Sequence, residues 1–226
     1  MTAVQGRPLG IFGGTFDPVH NGHLRCAYEV GQTLDFEQVL MLPNRLPPHK
    51  ATPGVSPEHR LAMVNAAIEG VPGLVVDDRE LNREDLSFTV DTLESLRAER
   101  PRQPLCFIVG MDSLLGFHRW HRPERILELA HLVVCHRPGH PLASDSPAAP
   151  WLARHRLQSP RQLHQQLGGG ILLTPVTPLE IASSTLRHQL KQGLLPHYLM
   201  PPAVLAYIEQ HRLYPRDDGG GADKSL

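Results

Sequence analysis

Short apolar runs alternate with amphipathic segments along most of the chain. Apolar runs bounded by turn residues predict buried strands at 9–12, 39–42, 74–76, 105–109, 132–135 and 171–176. Helical spacing of apolar residues predicts helices at 22–34, 57–69, 88–100, 123–130, 151–166, 184–192 and 202–211. This alternation predicts an α/β fold with a mainly parallel sheet and helices on both faces. In such sheets ligands bind beyond the carboxyl ends of the strands, so the segments that follow strands are the candidate sites.

The length of 226 residues suits one compact domain with a sizeable core. We predict a single domain over residues 1–216. The segment 217–226 contains three consecutive glycines and is predicted to be a disordered tail. The Pro-, Ala- and Ser-rich stretch 140–150 predicts a loop that leads into an inserted helix, and no chemistry is assigned to it.

Charge and cysteine content limit the partners and the cellular compartment that we expect for the protein. Lysine and arginine total 22 against 23 acidic residues, which predicts no attraction to nucleic acid or to an anionic membrane and favours small-molecule partners. Cys26, Cys106 and Cys135 are widely spaced and predict reduced thiols in a cytoplasmic protein. The N-terminus lacks a signal-peptide pattern, and no apolar run reaches about eighteen residues, so a soluble protein is expected. The oligomeric state is undetermined, and a homo-oligomer remains open.

The predicted first strand runs into the segment 13–24, GGTFDPVHNGHL. Glycines directly after a strand let the backbone approach a phosphate closely, because no Cβ intervenes. If a helix begins within residues 19–22, His20 and His23 lie on one face of its first turn, beside free amides and the positive end of the helix dipole. Two imidazoles and free amides in this position predict an anion-binding site.

Other interpretations of this segment are weaker. The chain has no G-x-G-x-x-G pattern and no Gly-Lys pair, which disfavours a dinucleotide-binding dehydrogenase and a P-loop kinase. Zinc binding by His20, His23 and Cys26 would place three ligands at positions i, i+3 and i+6 of one helix. This spacing directs the third side chain away from the other two, and no fourth ligand is evident. No protein-held metal is therefore predicted. Two solvent-facing histidines on an ordinary helix are the alternative without a function.

The segment 13–23 resembles the signature of the nucleotidyltransferase superfamily, which shares an H-x-G-H motif with class I aminoacyl-tRNA synthetases. Within that superfamily the chain is similar to bacterial nicotinate mononucleotide adenylyltransferases over nearly its full length. The resemblance implies a Rossmann-like fold of the nucleotidyltransferase type. It also implies transfer of the adenylyl group of ATP, accompanied by Mg²⁺, to nicotinate mononucleotide with release of pyrophosphate, a step of NAD biosynthesis.

The same resemblance implies roles for individual residues on the ATP side. His20, His23, Lys50 and Arg187 are the expected catalytic residues, with Lys50 acting as a point charge near the triphosphate. Asp112 is expected to accept hydrogen bonds from ribose hydroxyls. The full set of expected ATP-binding residues is Gly13, Gly14, Thr15, Phe16, His20, His23, Gly110, Asp112, Ser183, Ser184 and Arg187.

Four residues are expected to bind the acceptor: Asn44, Thr89, Trp120 and His121. By resemblance, Trp120 stacks on the pyridine ring, the backbone of Thr89 contacts the carboxylate, and His121 supplies a backbone amide. Each also has an ordinary structural explanation, such as an isolated exposed tryptophan on a loop. Ser87 is a candidate N-cap for the helix that contains Thr89.

The segment 181–187, IASSTLR, resembles the family's I-S-S-T-x-I-R with two departures. Ala182 replaces a serine, so no hydroxyl role is expected there, and Ser184 replaces a threonine. Hydroxyls and amides at a helix start, with Arg187 one turn in, can hold phosphate oxygens; a surface arginine paired with a helix carboxylate is the alternative. Phosphopantetheine or nicotinamide mononucleotide adenylyltransferase, or a nucleotide-sensing domain without turnover, remain alternative functions.

Overall fold

The computed structural model describes residues 4–45, 54–83, 88–136 and 146–216. Six strands form one sheet, in which each neighbouring pair is parallel and the order is β3-β2-β1-β4-β5-β6. The strands are β1 (Leu9–Gly14), β2 (Gln38–Pro43), β3 (Leu74–Val76), β4 (Leu105–Gly110), β5 (His131–His136) and β6 (Ile171–Pro175). The six predicted strands and the parallel α/β fold are confirmed.

Eight α-helices are found in the described part of the chain, together with two short 3₁₀ helices, Phe117–Arg119 and Pro160–His164. The α-helices are α1 (Asn21–Thr33), α2 (Pro57–Ile68), α3 (Thr89–Glu99), α4 (Met111–Leu115), α5 (Pro123–Leu129), α6 (Ala149–His155), α7 (Ser183–Lys191) and α8 (Pro202–Gln210). None of the helices in these segments is long and apolar enough to cross a membrane.

The predicted helix 151–166 is wrong as one element. It divides into α6 and the 3₁₀ helix Pro160–His164, because Pro160 has no N–H to continue α6 and Ser159 instead caps a new helix through a reciprocal capping box with Gln162. The predicted loop 140–150 also ends earlier, since α6 already begins at Ala149.

The starts of α3 and α4 add detail around the third and fourth strands. Phe88 occupies the N-cap position of α3, and the predicted cap, Ser87, lies outside the described residues. β4 ends at Gly110, one residue beyond the predicted strand 105–109, and Asp112 lies in the first turn of α4. The short helix α4 was not predicted, because five residues are too few to establish a helical period.

Helices cover both faces of the sheet. One buried cluster joins one face to α1, α2, α7 and α8, and a second joins the other face to α3 and α5. In β1 the alternation is visible directly, since Leu9 and Ile11 belong to the second cluster while Gly10 faces Phe36 and Val39 of the first.

The direction in which successive strands are added to the sheet reverses between β1 and β4, although all the strands are parallel. β1 is followed by β2 and β3 on one side, and β4, β5 and β6 lie on the other. β1 pairs with β2 over its whole length but with β4 only over Leu9–Ile11 opposite Leu105–Phe107. The carboxyl ends of these two strands are therefore not joined to each other, and this is the topological switch point where α/β sheets bind ligands.

Candidate active site

The two motif histidines stack on one another at the start of α1. His20 occupies the N-cap position and His23 lies in the first turn, with their ring centroids 3.6 Å apart and their planes 23° from parallel. The ring of Phe16 meets His23 edge-on at 5.2 Å. The prediction that the two imidazoles lie together beside a helix start is confirmed.

Glycine at positions 14 and 22 is required by close approaches within this loop. A Cβ on Gly22 would lie 3.1 Å from the His20 ring and push it away from His23. A Cβ on Gly14 would lie 2.8 Å from the ring of Phe16, which folds back over the strand end. The spacing H-x-G-H thus permits the stacked histidine pair.

His20 is unusually buried for a polar residue at a ligand site, with 4% of its surface exposed. Desolvation by this burial lowers its pKa from 6.5 to about 4, so the imidazole is neutral at pH 7. Its Nδ1 atom is buried and has no hydrogen-bond partner among the described residues. His20 therefore offers a ligand a hydrogen bond and not a positive charge.

The start of α7 is bound to the histidine loop. The Ser183 hydroxyl donates to the Pro18 carbonyl at 3.0 Å, and an Arg187 nitrogen donates to the Asp17 carbonyl at 2.6 Å. The same Arg187 nitrogen is 3.7 Å from the Asp17 carboxylate. The first amides of α7 have no intrahelical acceptor. Ser183 and Arg187 thus hold the loop, a use that the sequence did not suggest.

A cavity of about 730 Å³ opens beyond β1 and β4, between the starts of α1 and α7. The structure brings every residue expected to bind ATP to its wall: Gly13, Gly14, Thr15, Phe16, His20, His23, Gly110, Asp112, Ser183, Ser184 and Arg187. Asp112 is exposed to this space from the first turn of α4. We call this space the first cavity.

A second cavity of about 380 Å³ lies beside it, over the end of β4. All four residues expected to bind the acceptor line it: Asn44, Thr89, Trp120 and His121. Trp120 is half-buried in a loop after the 3₁₀ helix, edge-on to Phe107 at 6.0 Å, and is not an isolated exposed side chain. Phe88 lies 4.6 Å from the His121 ring. The second cavity therefore has aromatic walls.

The two cavities share one wall. Phe12, Gly13, Gly14, Gly110 and Ser113 line both. Two buried polar atoms without hydrogen-bond partners in the described segments also belong to this region: the Thr15 hydroxyl in the first cavity and the Asn44 amide oxygen in the second. Buried polar atoms are normally paired, so these two atoms are exceptions that lie beside the cavities.

Arg60 is the main structural residue of the site that the sequence analysis missed. It is completely buried on α2 and donates to the carbonyls of Thr15 at 2.7 Å, Asn44 at 2.6 Å and Arg45 at 3.2 Å. One guanidinium therefore fixes the loops after β1 and β2, which belong to different cavities. The sequence could have indicated a structural role for Arg60, because this charged residue lies on a face of α2 that is otherwise apolar.

Asp17 and Tyr214 form a second unpredicted anchor. The Tyr214 hydroxyl donates to the Asp17 carboxylate at 2.6 Å, and the backbone N–H of Gly54 donates to its other oxygen at 2.8 Å. Both side chains are buried, and burial together with the Asp17 contact raises the pKa of Tyr214. A residue far along the sequence thereby holds the histidine loop, which local patterns cannot reveal.

Lys50 and Ser87 lie outside the described residues, as does the segment 217–226. The role expected of Lys50 and the disorder expected of the tail therefore stay predictions.

The fold and the site define a nucleotidyltransferase class, and comparison with known proteins agrees. The model of the cytidylyltransferase-like family matches residues 11–189, and the chain belongs to this family. It is 50% identical to a protein of Aeromonas hydrophila named "Probable nicotinate-nucleotide adenylyltransferase", over 92% of this chain and 97% of the relative. A protein of Pectobacterium atrosepticum with the same name is 45% identical, over 90% and 97%. The chain is thus a member of the nicotinate-nucleotide adenylyltransferase family.

Solved structures support the fold independently. Nicotinic acid mononucleotide adenylyltransferase of Plasmodium falciparum, solved in complex with APC and with NaAD, superposes with a TM-score of 0.69. The alignment covers 92% of this chain and 98% of that one at 16% identity, so it is evidence for the fold alone.

Proposed function

We propose that this chain transfers the adenylyl group of ATP to nicotinate mononucleotide, producing nicotinate adenine dinucleotide and pyrophosphate in NAD biosynthesis. The observation that supports this most directly is the pair of cavities that share a wall of glycines. The first is larger and lined by histidines, serines and an arginine, which suits a nucleoside triphosphate. The second is smaller and has aromatic walls, which suits a mononucleotide with a flat ring.

The reaction is an in-line displacement at phosphorus. An oxygen of the acceptor's 5′-phosphate forms a bond to the α-phosphorus of ATP, the bond to the bridging α–β oxygen breaks, and pyrophosphate leaves with the electron pair. The attacking oxygen is already anionic at neutral pH, so no general base is needed. The enzyme must bring two anions together and stabilise charge on the α- and β-phosphates.

Side chains of the first cavity supply the stabilisation in this proposal. Neutral His20 and its stacked neighbour His23 donate hydrogen bonds to phosphate oxygens. The amides at the start of α7 contribute donors for the β- and γ-phosphates. Arg187 adds a positive charge while it holds the Asp17 carbonyl. Lys50 is proposed to act on the same phosphates.

Mg²⁺ is proposed to enter with ATP and to be held mainly by phosphate oxygens, because magnesium keeps several waters and commonly binds through substrate phosphates. When bound, it neutralises phosphate charge. Asp112 is proposed to accept from the ribose hydroxyls. On the acceptor side, Trp120 stacks on the pyridine ring, while Asn44 and the backbone of Thr89 and His121 bind its polar groups.

Pyrophosphate release from Mg-ATP is the direct test, with nicotinate mononucleotide, nicotinamide mononucleotide and 4′-phosphopantetheine supplied separately. We expect rapid release with the first acceptor and slow release with the other two. His23→Ala should lower turnover by on the order of a hundredfold, the usual cost of one lost oxyanion donor. His188→Ala, which changes an exposed histidine of α7, is the matched control and should retain wild-type turnover.

The three acceptors, supplied separately, distinguish the alternative functions. Faster release with nicotinamide mononucleotide or 4′-phosphopantetheine would keep the adenylyl transfer and replace the acceptor. Binding of ATP without release of pyrophosphate from any mixture would identify a nucleotide-sensing domain and overturn the enzymatic proposal.

A further inference from the structure

Two cysteines from separate elements meet in the wall of the first cavity. Cys26 lies on α1, one turn after His23, and Cys135 lies near the end of β5. Their sulfur atoms are 3.3 Å apart, and both residues line the cavity. From the sequence these cysteines were predicted only to be reduced thiols, and the adenylyl transfer described above does not use them.

The geometry points to an oxidisable dithiol: we propose that a hydroperoxide entering the first cavity converts Cys26 and Cys135 into an intrachain disulfide that weakens nucleotide binding. Cys26 is partly exposed and is the thiol that the oxidant reaches first, whereas Cys135 is only 8% exposed. The linkage concerns the thiols themselves, whereas its effect on nucleotide binding and turnover rests on the proposed function.

The two thiols differ in pKa in the direction that such a reaction needs. The hydrogen bond with Cys135 lowers the pKa of Cys26, although burial and nearby Glu29 act in the opposite direction. The same hydrogen bond and burial raise the pKa of Cys135. Cys26 is therefore the nucleophile, since the thiolate is the reactive form, and Cys135 is the resolving thiol.

The chemistry is balanced with the hydroperoxide as oxidant. The Cys26 thiolate attacks the O–O bond, giving a sulfenic acid and, after protonation, an alcohol or water. The Cys135 sulfur then attacks the Cys26 sulfur, a sulfur–sulfur bond forms, and the sulfenic oxygen leaves as water. Two thiols are oxidised by two electrons, and one peroxide is reduced. A dithiol such as dithiothreitol reverses the step by thiol–disulfide exchange.

The effect on the site follows from the position of Cys26 on α1. Bond formation brings the sulfur atoms from 3.3 Å to roughly 2 Å, which draws the first turns of α1 toward β5. His23 lies one turn before Cys26 on the same helix, so its ring moves relative to the phosphate donors of α7. A misplacement of about 1 Å can cost on the order of a hundredfold in rate, and we expect at least a tenfold loss of ATP affinity or turnover.

The test is graded hydrogen peroxide treatment of the reduced full chain, with and without Mg-ATP. Intact mass should fall by two hydrogens, and a non-reducing peptide map should link the Cys26 and Cys135 peptides. Mg-ATP should slow the linkage because it fills the cavity. ATP affinity, measured by calorimetry, should fall at least about tenfold on oxidation and recover with dithiothreitol.

Variants separate this reaction from general oxidation. Cys26→Ser should form no linkage and keep its own untreated ATP affinity after peroxide. Cys135→Ser should form no linkage either, and its mass should instead rise by added oxygen at Cys26, because no second thiol resolves the sulfenic acid. Cys106→Ala is the matched control: Cys106 is fully buried in β4, where burial raises its pKa, so this variant should form the linkage as the wild type does. If a serine variant does not fold, the peptide map of the oxidised wild type still shows whether Cys26 and Cys135 are linked.

Three results would overturn the proposal: peroxide that consumes thiols without linking Cys26 to Cys135, a linkage whose rate Mg-ATP does not change, or a linked protein with undiminished ATP affinity. The intact mass and the peptide map need no bound nucleotide, so a failure of the proposed adenylyl transfer would leave the test of the linkage intact. The affinity and protection measurements need only that ATP binds, not that it reacts.

Discussion

Burial of the His20 imidazole makes the free energy of unfolding depend on pH. In the folded chain the pKa of His20 is about 4, against 6.5 when the ring is exposed to water. As the pH falls below 6.5 the unfolded chain takes up a proton that the folded chain refuses, so stability decreases. Linkage over this pKa difference predicts a loss of about 2 kcal/mol between about pH 7.5 and about pH 5.

A substitution isolates this contribution. His20→Asn removes the titrating ring and retains a side chain that can cap α1. Urea titrations of the ligand-free wild type and variant at a series of pH values give two stability profiles. Other histidines add the same pH dependence to both, including His131, whose pKa burial also lowers. The difference between the profiles should therefore change by about 2 kcal/mol, and the wild type should show the steeper loss.

Parallel profiles for the wild type and His20→Asn would refute the argument, because they would mean that His20 has the same pKa in both states. A direct check is the NMR titration of the His20 ring. A midpoint near 6.5 in the ligand-free protein would contradict the desolvation inferred from its 4% exposure. The absolute stability of the variant does not decide the question, since asparagine can change the capping energy independently of pH.

Three further substitutions test the anchors and the second cavity. Arg60→Met removes the donors to three loop carbonyls and should lower the unfolding free energy by about 3 kcal/mol in urea titrations; an unchanged midpoint would contradict the assigned hydrogen bonds. Trp120→Ala should raise the acceptor KM about twofold to tenfold, the worth of one aromatic contact, with little change in the KM for ATP. Trp151→Ala is its control, because Trp151 lies outside the second cavity and should leave the acceptor KM unchanged. Tyr214→Phe removes the hydrogen bond to Asp17 and should cost about 1–3 kcal/mol in stability and raise the KM for ATP; a wild-type KM would disprove its link to the site.

Periodicity was sufficient to predict the sheet because each strand is a short apolar run between helices. It also located both cavities, since in a parallel sheet the segments after strand ends converge at one edge. The segments 13–23 and 181–187 are far apart in sequence, yet they meet because β1 is central and α7 returns to its carboxyl end. Family resemblance then divided the candidate residues into those expected to bind ATP and those expected to bind the acceptor, which periodicity alone could not do.

Contacts between distant side chains and backbone were not predictable in the same way. Arg60 donates to the backbone carbonyl of Thr15. Every residue has such a carbonyl, so the sequence cannot show which one is the partner. Tyr214, which follows α8, lies near Asp17 because α8 packs against α2. The charge of Arg60 within an apolar helix face marked it as unusual, but its partners depended on the tertiary fold.

The wall between the two cavities leads to a final prediction, at Gly110. This glycine has an ordinary φ of −81°, and a Cβ added to it would meet no atom within 4 Å. Gly110→Ala should therefore fold with a stability within about 1 kcal/mol of wild type. Because Gly110 lines both cavities, the added methyl group enters the space where the acceptor phosphate must come within about 3.5 Å of ATP. We expect kcat/KM to fall about tenfold or more, whereas Gly116→Ala at the other end of α4, outside both cavities, should leave it unchanged. An unaltered kcat/KM in Gly110→Ala would mean that the two substrates do not meet across this wall.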